Sequence, residues 1–447
     1  MSRPQIFALI YLTASLLLGL FIAYNINAYL GIEFNPKTLP QIPTYQARTP
    51  ESLEPIDPIA AIVIPQGAMR VDSYRRAVDV LVQVIAQRSG KQPLIIEVAQ
   101  TLPEGGVIAV GDHSRNDFVE QSAPALKDPD AFALRAYRQD GRQVLAVLGA
   151  SPMGDIYGMY RLADELRARN EEEVFSLDQT YYPALSYRFV DMGAVGIPYD
   201  PAGWDPEDYS HHDHAYEDVI LPTAPYIDEA AFLRVEKEFK DYIQRMIAYG
   251  NNGLVFSGFL EFVNFDTVGN GYGFLEFVNF DTVGNGYEIY DQESEYRERH
   301  RVVRDKFGAL FEYAHENGMK VILKTDMVAL TPPLEAFFSQ RFGGVDASNP
   351  QVWEVYRQGL EELFEQMPYV DGVMIRIGEA GAIYNLEGWD YYSQLYVRDV
   401  DDARNMLRAF LNVAEAHDKL IIFRSWSVGI GEVGDMHTNP DSYNRLL

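Results

Sequence analysis

The feature that most constrains the fold is a series of short apolar runs that alternate with helical patterns in the second half of the chain. The clearest run, residues 372–377, begins with glycine and has the composition of a buried strand in a parallel sheet. It leads into residues 378–381, a glycine-flanked turn that carries Glu379. Parallel strands joined by helices form α/β barrels, whose active sites lie at the carboxyl ends of the strands. Glu379 is therefore the first candidate functional residue.

Comparable units precede and follow this strand. Strands are predicted near residues 187–193, 254–256, 319–326, 372–379 and 420–429, with helices at 229–249, 297–317, 352–367 and 403–417. An eight-stranded barrel needs three more strand–helix pairs than these five strands provide. Residues 181–447 are therefore predicted to form an incomplete (β/α)8 TIM-type barrel, and the chain is expected to be a truncated form of a longer protein.

Residues 59–180 also alternate between strand and helix patterns and are predicted to form a small α/β domain. Strands are predicted at 60–64, 94–98 and 107–110, and a helix at 74–88. Residues 133–148 have the pattern of a hairpin, with Asp140 and Gly141 at its turn. A second helix is predicted from about residue 155 to residue 169.

The amino-terminal region predicts a membrane segment. Residues 6–24 are largely apolar, contain no charged residue and follow Arg3, so residues 1–31 are predicted to be a signal anchor with a transmembrane helix. Cleavage near residues 26–28 is the alternative, and it would release a secreted protein. Residues 32–58 are rich in proline and are interpreted as a linker. In both cases the remainder of the chain is predicted to be extracytoplasmic.

Composition excludes several classes of function. The 447-residue chain has a formal net charge of -28 and no long basic run, so no nucleic-acid partner is expected. It has no cysteine, which excludes disulfides and thiolate chemistry. His211, His212 and His214 surround Asp213 in a long loop, but they lack the helical spacing of metal ligands and are interpreted as solvated. No metal or cofactor is predicted, and the oligomeric state is not predictable.

A tandem duplication lies beside the predicted barrel site. Residues 273–287 repeat residues 258–272 without a single change. Solenoid folds require at least three repeats, so a recent duplication or a sequence-assembly error is the better interpretation. One copy is expected to occupy the natural connection after the second barrel strand, and the other to form an additional loop near the active-site end.

The segment that closes the small domain carries a family resemblance. Residues 149–162 read Gly-Ala-Ser-Pro-Met-Gly-Asp-Ile-Tyr-Gly-Met-Tyr-Arg-Leu. This sequence resembles the end of the small α/β domain that precedes the barrel in α-glucuronidases and, more distantly, β-hexosaminidases. The resemblance implies a scaffold role for the domain. A glycine-rich turn before a helix can instead hold phosphate, but the Gly-Lys-Ser/Thr sequence of such sites is absent.

The barrel strand adds to the resemblance. Glu379-Ala380-Gly381 is similar to the Glu-Gly segment that holds the general acid of α-glucuronidases. It differs from β-hexosaminidases, which place Asp directly before this Glu, whereas this chain has Gly378. The resemblance implies an exported glycoside hydrolase with Glu379 as general acid. An ion pair with Arg376 or Arg424 is the alternative role for Glu379.

Glycoside hydrolysis requires a second carboxylate and groups that hold the sugar. The second carboxylate is expected beyond residue 447, with Asp326 and Glu432 as alternatives within the chain. Basic groups on or beside the strands would suit the carboxylate of a uronic acid, and Trp426 could stack on a sugar or belong to the core. The predicted carbohydrate-binding residues are Arg188, Asp191, Lys324, Asp326, Arg424 and Trp426. A non-catalytic carbohydrate-binding or remnant protein is the alternative function.

Overall fold

The structure is a computed structural model. It describes residues 58–97, 102–119, 126–191, 219, 221, 223–256, 289–291, 293–326, 330–376, 396–397, 399–424 and 439–447. The chain divides into two units, Met1–Thr49 and Pro50–Leu447, and every described residue belongs to the second. The second unit contains two sheets, and the fold is mixed α/β.

The first sheet has six strands in the order β2-β1-β3-β5-β4-β6. Strands β2, β1, β3 and β5 run parallel, whereas β4 is antiparallel to both β5 and β6. The strands are β1 (Ile59–Val63), β2 (Leu94–Ile96), β3 (Gly106–Val110), β4 (Phe132–Gln139), β5 (Arg142–Gly149) and β6 (Asp178–Tyr181).

The main core contains residues of the first sheet and of two helices, α1 (Asp72–Ser89) and α2 (Pro152–Ala168). Helix α1 buries Tyr74, Val78, Leu81 and Ile85, whose spacing of three and four residues places them on one face. Helix α2 begins at Ser151, whose hydroxyl accepts hydrogen bonds from two backbone N–H groups of the first turn. A short helix, α3 (Glu171–Val174), follows.

The predicted hairpin is confirmed. Strands β4 and β5 pair antiparallel from Phe132 opposite Gly149 to Gln139 opposite Arg142. Asp140 and Gly141 connect them with φ angles of 52° and 77°. Two consecutive left-handed residues are typical of the tight turn that matches the twist of a hairpin, and Asp-Gly is a preferred pair for it.

The second sheet is a curled parallel half-barrel. Its strands follow one another in sequence order, β7 (Phe189–Asp191), β8 (Gly253–Phe256), β9 (Lys320–Asp326), β10 (Gly372–Arg376) and β11 (Leu420–Arg424). The helices of this region are α4 (Glu229–Ala248), α5 (Glu295–Glu316), α6 (Pro332–Phe342), α7 (Pro350–Gln366), α8 (Val400–His417) and α9 (Pro440–Leu446). Helices α6 and α9 were not predicted from the sequence.

Alternating residues of the half-barrel strands face opposite sides. Leu323 and Ile375 belong to the core formed with the surrounding helices. Lys324 and Met374, which are the neighbours of these two residues along the strands, are only partly buried. Because strand side chains alternate between faces, Lys324 and Met374 project from the concave face of the half-barrel.

The first sheet and its helices meet the half-barrel through a buried polar contact. Asn317, directly after α5, is 4% exposed. Its side-chain oxygen accepts hydrogen bonds from the Ser73 backbone N–H (2.7 Å) and from the Gln244 amide (3.1 Å), and its amide nitrogen donates to the Tyr313 carbonyl. Three helices, α1, α4 and α5, are thereby joined at one side chain.

Three predicted segments fall largely or wholly outside the described residues. They are the membrane helix at residues 6–24, the proline-rich linker at 32–58 and the duplication at 258–287. Within the described residues, no helix combines the length and the apolar character needed to cross a bilayer. The anchor remains a prediction.

Candidate functional site

The carboxyl ends of the half-barrel strands bring several predicted residues into one row. In the strand register, Asp326 lies opposite Arg376, and Arg376 lies opposite Arg424. The last residues of β9, β10 and β11 are therefore side by side. Neighbouring strands lie about 4.8 Å apart, so the backbones of Asp326 and Arg424 are about 10 Å apart across the sheet.

A second row lies two residues below the first, on the concave face. Lys324 pairs with Met374, and Met374 pairs with Ile422. Lys324 and Arg424 are both partly buried. Arg424 lies two residues beyond the row of Lys324, which is about 7 Å along the strand direction. A substrate of one or two sugar rings could therefore contact both Lys324 and Arg424. Lys324 and Arg424 are thus two cationic side chains near the end of a half-barrel that belongs to a strongly acidic chain.

Asp191 belongs to a different row. It ends β7 and pairs with Val255, which in turn pairs with Ile322. Ile322 precedes Asp326 by four residues, so the register displaces Asp191 from the row of Asp326 by about 13 Å along the strands. The same register places Asp191 two strands and two residues from Lys324, an offset equal to that between Lys324 and Arg424, whereas Asp191 and Arg424 are four strands apart.

Two predicted site residues, Glu379 and Trp426, lie outside the described residues, as does the alternative carboxylate Glu432. Residue 379 comes three positions after Arg376, the last residue of β10. In the part of the chain that the structure describes, no group of three or more His, Asp or Glu residues is arranged to hold a metal ion.

Arg188 does not lie at this site. It directly precedes β7, at the amino end of the strands, and its guanidinium donates hydrogen bonds to Asp130 (2.7 Å) and to the carbonyls of Gly250 (2.6 Å) and Leu185 (2.7 Å). The guanidinium also lies 5.5 Å from the centre of the Tyr157 ring. This side chain joins the first sheet domain to the amino end of the half-barrel, a position that does not support substrate binding, so the role predicted for Arg188 stays a prediction.

The Arg188→Gln variant is expected to lower stability and leave substrate binding unchanged. The substitution removes hydrogen bonds to a carboxylate that is only 11% exposed, which predicts a loss of about 1–3 kcal/mol. Urea unfolding measures this loss, and KM measures substrate binding. Arg138→Gln, at an exposed position of β4, is the matched control. A raised KM with unchanged stability would return Arg188 to the substrate site.

One polar contact near the strand ends was missed by sequence reasoning. The Tyr290 hydroxyl lies 2.7 Å from the Thr331 hydroxyl, and the Tyr290 ring stacks on Tyr296 with centroids 5.5 Å apart. Tyr290 belongs to the connection between β8 and α5, whereas Thr331 caps α6 after β9. The contact therefore joins two connections at the carboxyl ends of neighbouring strands. Thr331-Pro332-Pro333 is a helix-start signal that the sequence contained.

Two open clefts among the described residues lie at the amino end of the half-barrel instead. One, of about 600 Å³, is bordered by Asp130, Tyr187, Asn252, Lys320 and Asp371. The other has a similar volume and lies against the first sheet. The catalytic residues of α/β barrels lie at the carboxyl ends of the strands, so neither cleft is the candidate catalytic site.

Comparisons with known proteins identify no family for this chain. No protein-family model matches it, and no curated protein matches it. One similar solved structure is a GH138 enzyme targeting pectin rhamnogalacturonan II, with 14% identity and a TM-score of 0.45 over 80% of this chain and 34% of that one. Another is a GH20 β-N-acetylhexosaminidase from Streptomyces coelicolor A3(2), with 12% identity and a TM-score of 0.39 over 83% of this chain and 63% of that one.

A third similar structure is a GH20 exo-β-N-acetylglucosaminidase from Vibrio harveyi, with 12% identity and a TM-score of 0.36 over 82% of this chain and 52% of that one. The chain thus spans between about a third and just under two thirds of the length of these proteins. Identities this low, with TM-scores below 0.5, do not show membership of any of these families.

Proposed function

We propose that the protein is an extracytoplasmic glycoside hydrolase that acts on a polysaccharide or oligosaccharide containing uronic acid. The observation that carries the proposal is the placement of Lys324 and Arg424 near the carboxyl ends of a parallel half-barrel. Active sites of α/β barrels lie at this end, and two cations there suit a carboxylate ligand. The sequence resemblance to α-glucuronidases supports the same substrate class.

The negative net charge of the chain makes the position of Lys324 and Arg424 relevant to the class of substrate. With a net charge of -28, the protein repels polyanions unless positive charge is concentrated locally. An arginine binds a carboxylate through two parallel hydrogen bonds, whereas a lysine acts as a point charge. In this proposal Arg424 holds the uronic-acid carboxylate and Lys324 lies deeper on the concave face, where it neutralises the same group or the neighbouring sugar.

Glu379 is proposed as the general acid that protonates the departing sugar oxygen. It follows the end of β10 by three residues in the sequence, and the proposal assigns it to the edge of the sheet where Asp326 and Arg424 end their strands. The second carboxylate must lie about 5 to 9.5 Å from the acid, depending on whether the anomeric configuration is retained or inverted. Asp326, at the end of the adjacent strand, is the described residue that best fits this role.

Attachment to the membrane is part of the proposal. Residues 6–24 would form an anchor and leave the catalytic region on the outer side, or their cleavage would release it. Either arrangement places the enzyme where polysaccharide fragments are available.

The substrate class is tested with a matched pair of fluorogenic substrates, a uronide and the corresponding neutral glycoside. Arg424→Gln and Lys324→Gln are each expected to lower kcat/KM for the uronide by about 10- to 100-fold, since a hydrogen bond to a charged group contributes about 1.5–3 kcal/mol. Hydrolysis of the neutral glycoside should change little. Arg138→Gln and Lys237→Gln, at exposed positions on β4 and α4, are the controls.

Equal losses on both substrates would contradict a role in carboxylate recognition. Saturable binding of oligosaccharides without hydrolysis of any tested linkage would favour a non-catalytic carbohydrate-binding protein. Hydrolysis of neutral substrates alone would keep the glycosidase activity and reject the uronic-acid specificity.

A further inference from the structure

The second cleft, which we call the switch-point cleft, lies at the carboxyl ends of the parallel strands β1, β3 and β5 of the first sheet. It is bordered by Pro65 and Ala68 after β1, Arg115 after β3, and Ser151 at the start of α2 after β5, with His315 from α5 opposite. Strands β1 and β3 are neighbours in the sheet. The chain leaves β1 towards β2 on one side and leaves β3 towards β4 and β5 on the other, so the connections after these two strands lead in opposite directions. Ligands of open α/β sheets bind outside the carboxyl ends of the strands at such a point.

A buried ion pair forms the floor of the switch-point cleft. Asp155 is fully buried, and both its oxygens accept hydrogen bonds from Arg115, while the Gly149 N–H donates to one of them (3.0 Å). Burial raises the pKa of Asp155 to about 7, although the Arg115 guanidinium acts in the opposite direction. Arg115 is thus held in place by the protein itself.

Tyr74 carries an unsatisfied polar group at the same place. This residue borders the cleft, is 2% exposed and interacts electrostatically with Asp155 and Arg115. Its hydroxyl has no hydrogen-bond partner among the described residues. A buried hydroxyl without a partner is unfavourable, so a ligand oxygen that reached it would gain a hydrogen bond at no cost to an existing one.

The start of α2 does not make this cleft an anion site. Two of its first backbone N–H groups, those of Met153 and Gly154, already donate to the Ser151 hydroxyl, and Pro152 has none. Arg115 is paired with Asp155, and one of its terminal nitrogens also donates to the Gly149 carbonyl. The phosphate interpretation of this glycine-rich turn is therefore not supported by its hydrogen bonds.

The remaining lining includes Gln66, His315, Glu316 and Asn317, but most of its exposed surface is apolar, with Pro65, Ala68, Val71, Met153 and Ile156 among the apolar residues. A volume of about 600 Å³ lies within the range of small-molecule pockets. We propose that the switch-point cleft binds an uncharged, largely apolar organic molecule of one or two rings, with one hydroxyl or carbonyl oxygen that pairs with the Tyr74 hydroxyl. This site is separate from the proposed glycosidase site and does not depend on that function.

The probe for the test is 1-naphthol, which is fluorescent, uncharged and has one hydroxyl. Saturable binding is expected, with about tenfold weaker affinity for Tyr74→Phe, which corresponds to the loss of one hydrogen bond. Ala68→Trp, which fills the cleft, should abolish binding. Tyr160→Phe, on the part of α2 outside the cleft, should bind the probe as the original protein does.

A stability measurement tests the premise with the same variants. Because the Tyr74 hydroxyl has no protein partner, Tyr74→Phe should leave the midpoint of thermal unfolding unchanged or raise it. A clear decrease, with unchanged naphthol affinity, would show that the hydroxyl is satisfied within the protein and would overturn the proposal. Absence of saturable binding, or binding that Ala68→Trp leaves intact, would overturn it as well. Tighter binding of 1-naphthyl phosphate than of 1-naphthol would replace it with an anion site.

Discussion

The Glu379→Gln variant is expected to lose about 10²- to 10⁴-fold in kcat, the range that a positioned general acid contributes. Glutamine has nearly the same shape as glutamic acid but cannot deliver a proton to the departing oxygen. Its effect should therefore depend on the leaving group of the substrate. A dinitrophenyl glycoside, whose leaving group needs no protonation, should be hydrolysed with a much smaller loss than an alkyl or sugar glycoside.

Comparing substrates with different leaving groups distinguishes a general acid from a binding residue or a nucleophile. Glu172→Gln, at an exposed position of α3 in the first sheet domain, carries the same substitution and should keep full activity on both substrates. Equal losses for Glu379→Gln on the two substrates would assign the residue to binding or to the nucleophile instead of the acid. Full activity on both would move the acid to another carboxylate, of which Asp326 is the first candidate.

The Gly149→Ala variant is expected to have the largest effect on stability. A Cβ atom at residue 149 would overlap the backbone of Gly154 and Asp155, and a backbone atom cannot move aside as the end of a flexible side chain can. The overlap would also disturb the hydrogen bond from the Gly149 N–H to the buried Asp155 carboxylate. We expect a loss of about 3 kcal/mol or more in the free energy of unfolding, measured by urea denaturation.

A second glycine of the same sheet provides the control. A Cβ at Gly106, the first residue of β3, would meet its nearest atoms at 3.8 Å, which is ordinary contact, and its backbone is not left-handed. Gly106→Ala should therefore change stability little. Similar losses for the two variants would show that the close approach of β5 and α2 is not what requires glycine at residue 149.

These steric requirements explain the glycine motif that suggested the family resemblance. A Cβ at Gly154 would lie 2.5 Å from the Ala131 carbonyl oxygen and a Cβ at Gly158 would overlap the Val147 side chain, so all three glycines of the motif permit α2 to pack closely on the sheet. Between the first two, Ser151 caps the helix and Pro152 occupies its first position. Packing thus explains why the motif contains glycine at these positions.

Among the described residues, the hydrogen bonds that Asp130 makes across the joint between the two sheets go to the amino ends of half-barrel strands. Asp130 accepts hydrogen bonds from Arg188 (2.7 Å) and from the Asn252 amide (2.9 Å), residues that precede β7 and β8. Met153 of α2 packs on Gly318, before β9. The first domain therefore supports the amino ends of three strands, which can stabilise the half-barrel without obstructing a substrate.

Local patterns along the chain were sufficient for most strands and helices. The apolar residues Phe232, Val235, Phe239, Ile243 and Ile247 recur at helical spacing and are all buried in α4, as the pattern predicted. The Asp140-Gly141 turn and the five half-barrel strands were likewise predictable, because each depends on residues that are close in sequence. Helix α6 was missed although Thr331 and two prolines marked its start.

The arrangement of side chains between elements required the tertiary structure. Arg188 was predicted to bind substrate because it lies beside a strand, but the end of the strand at which it lies and its partner Asp130, 58 residues away, depend on how the sheets pack. The rows that group Asp326 with Arg376 and Arg424, and separate Asp191 from them, depend on strand register, which pairing between distant segments sets. The unsatisfied hydroxyl of Tyr74 is likewise visible only after burial, since a chain in water satisfies every hydroxyl it carries.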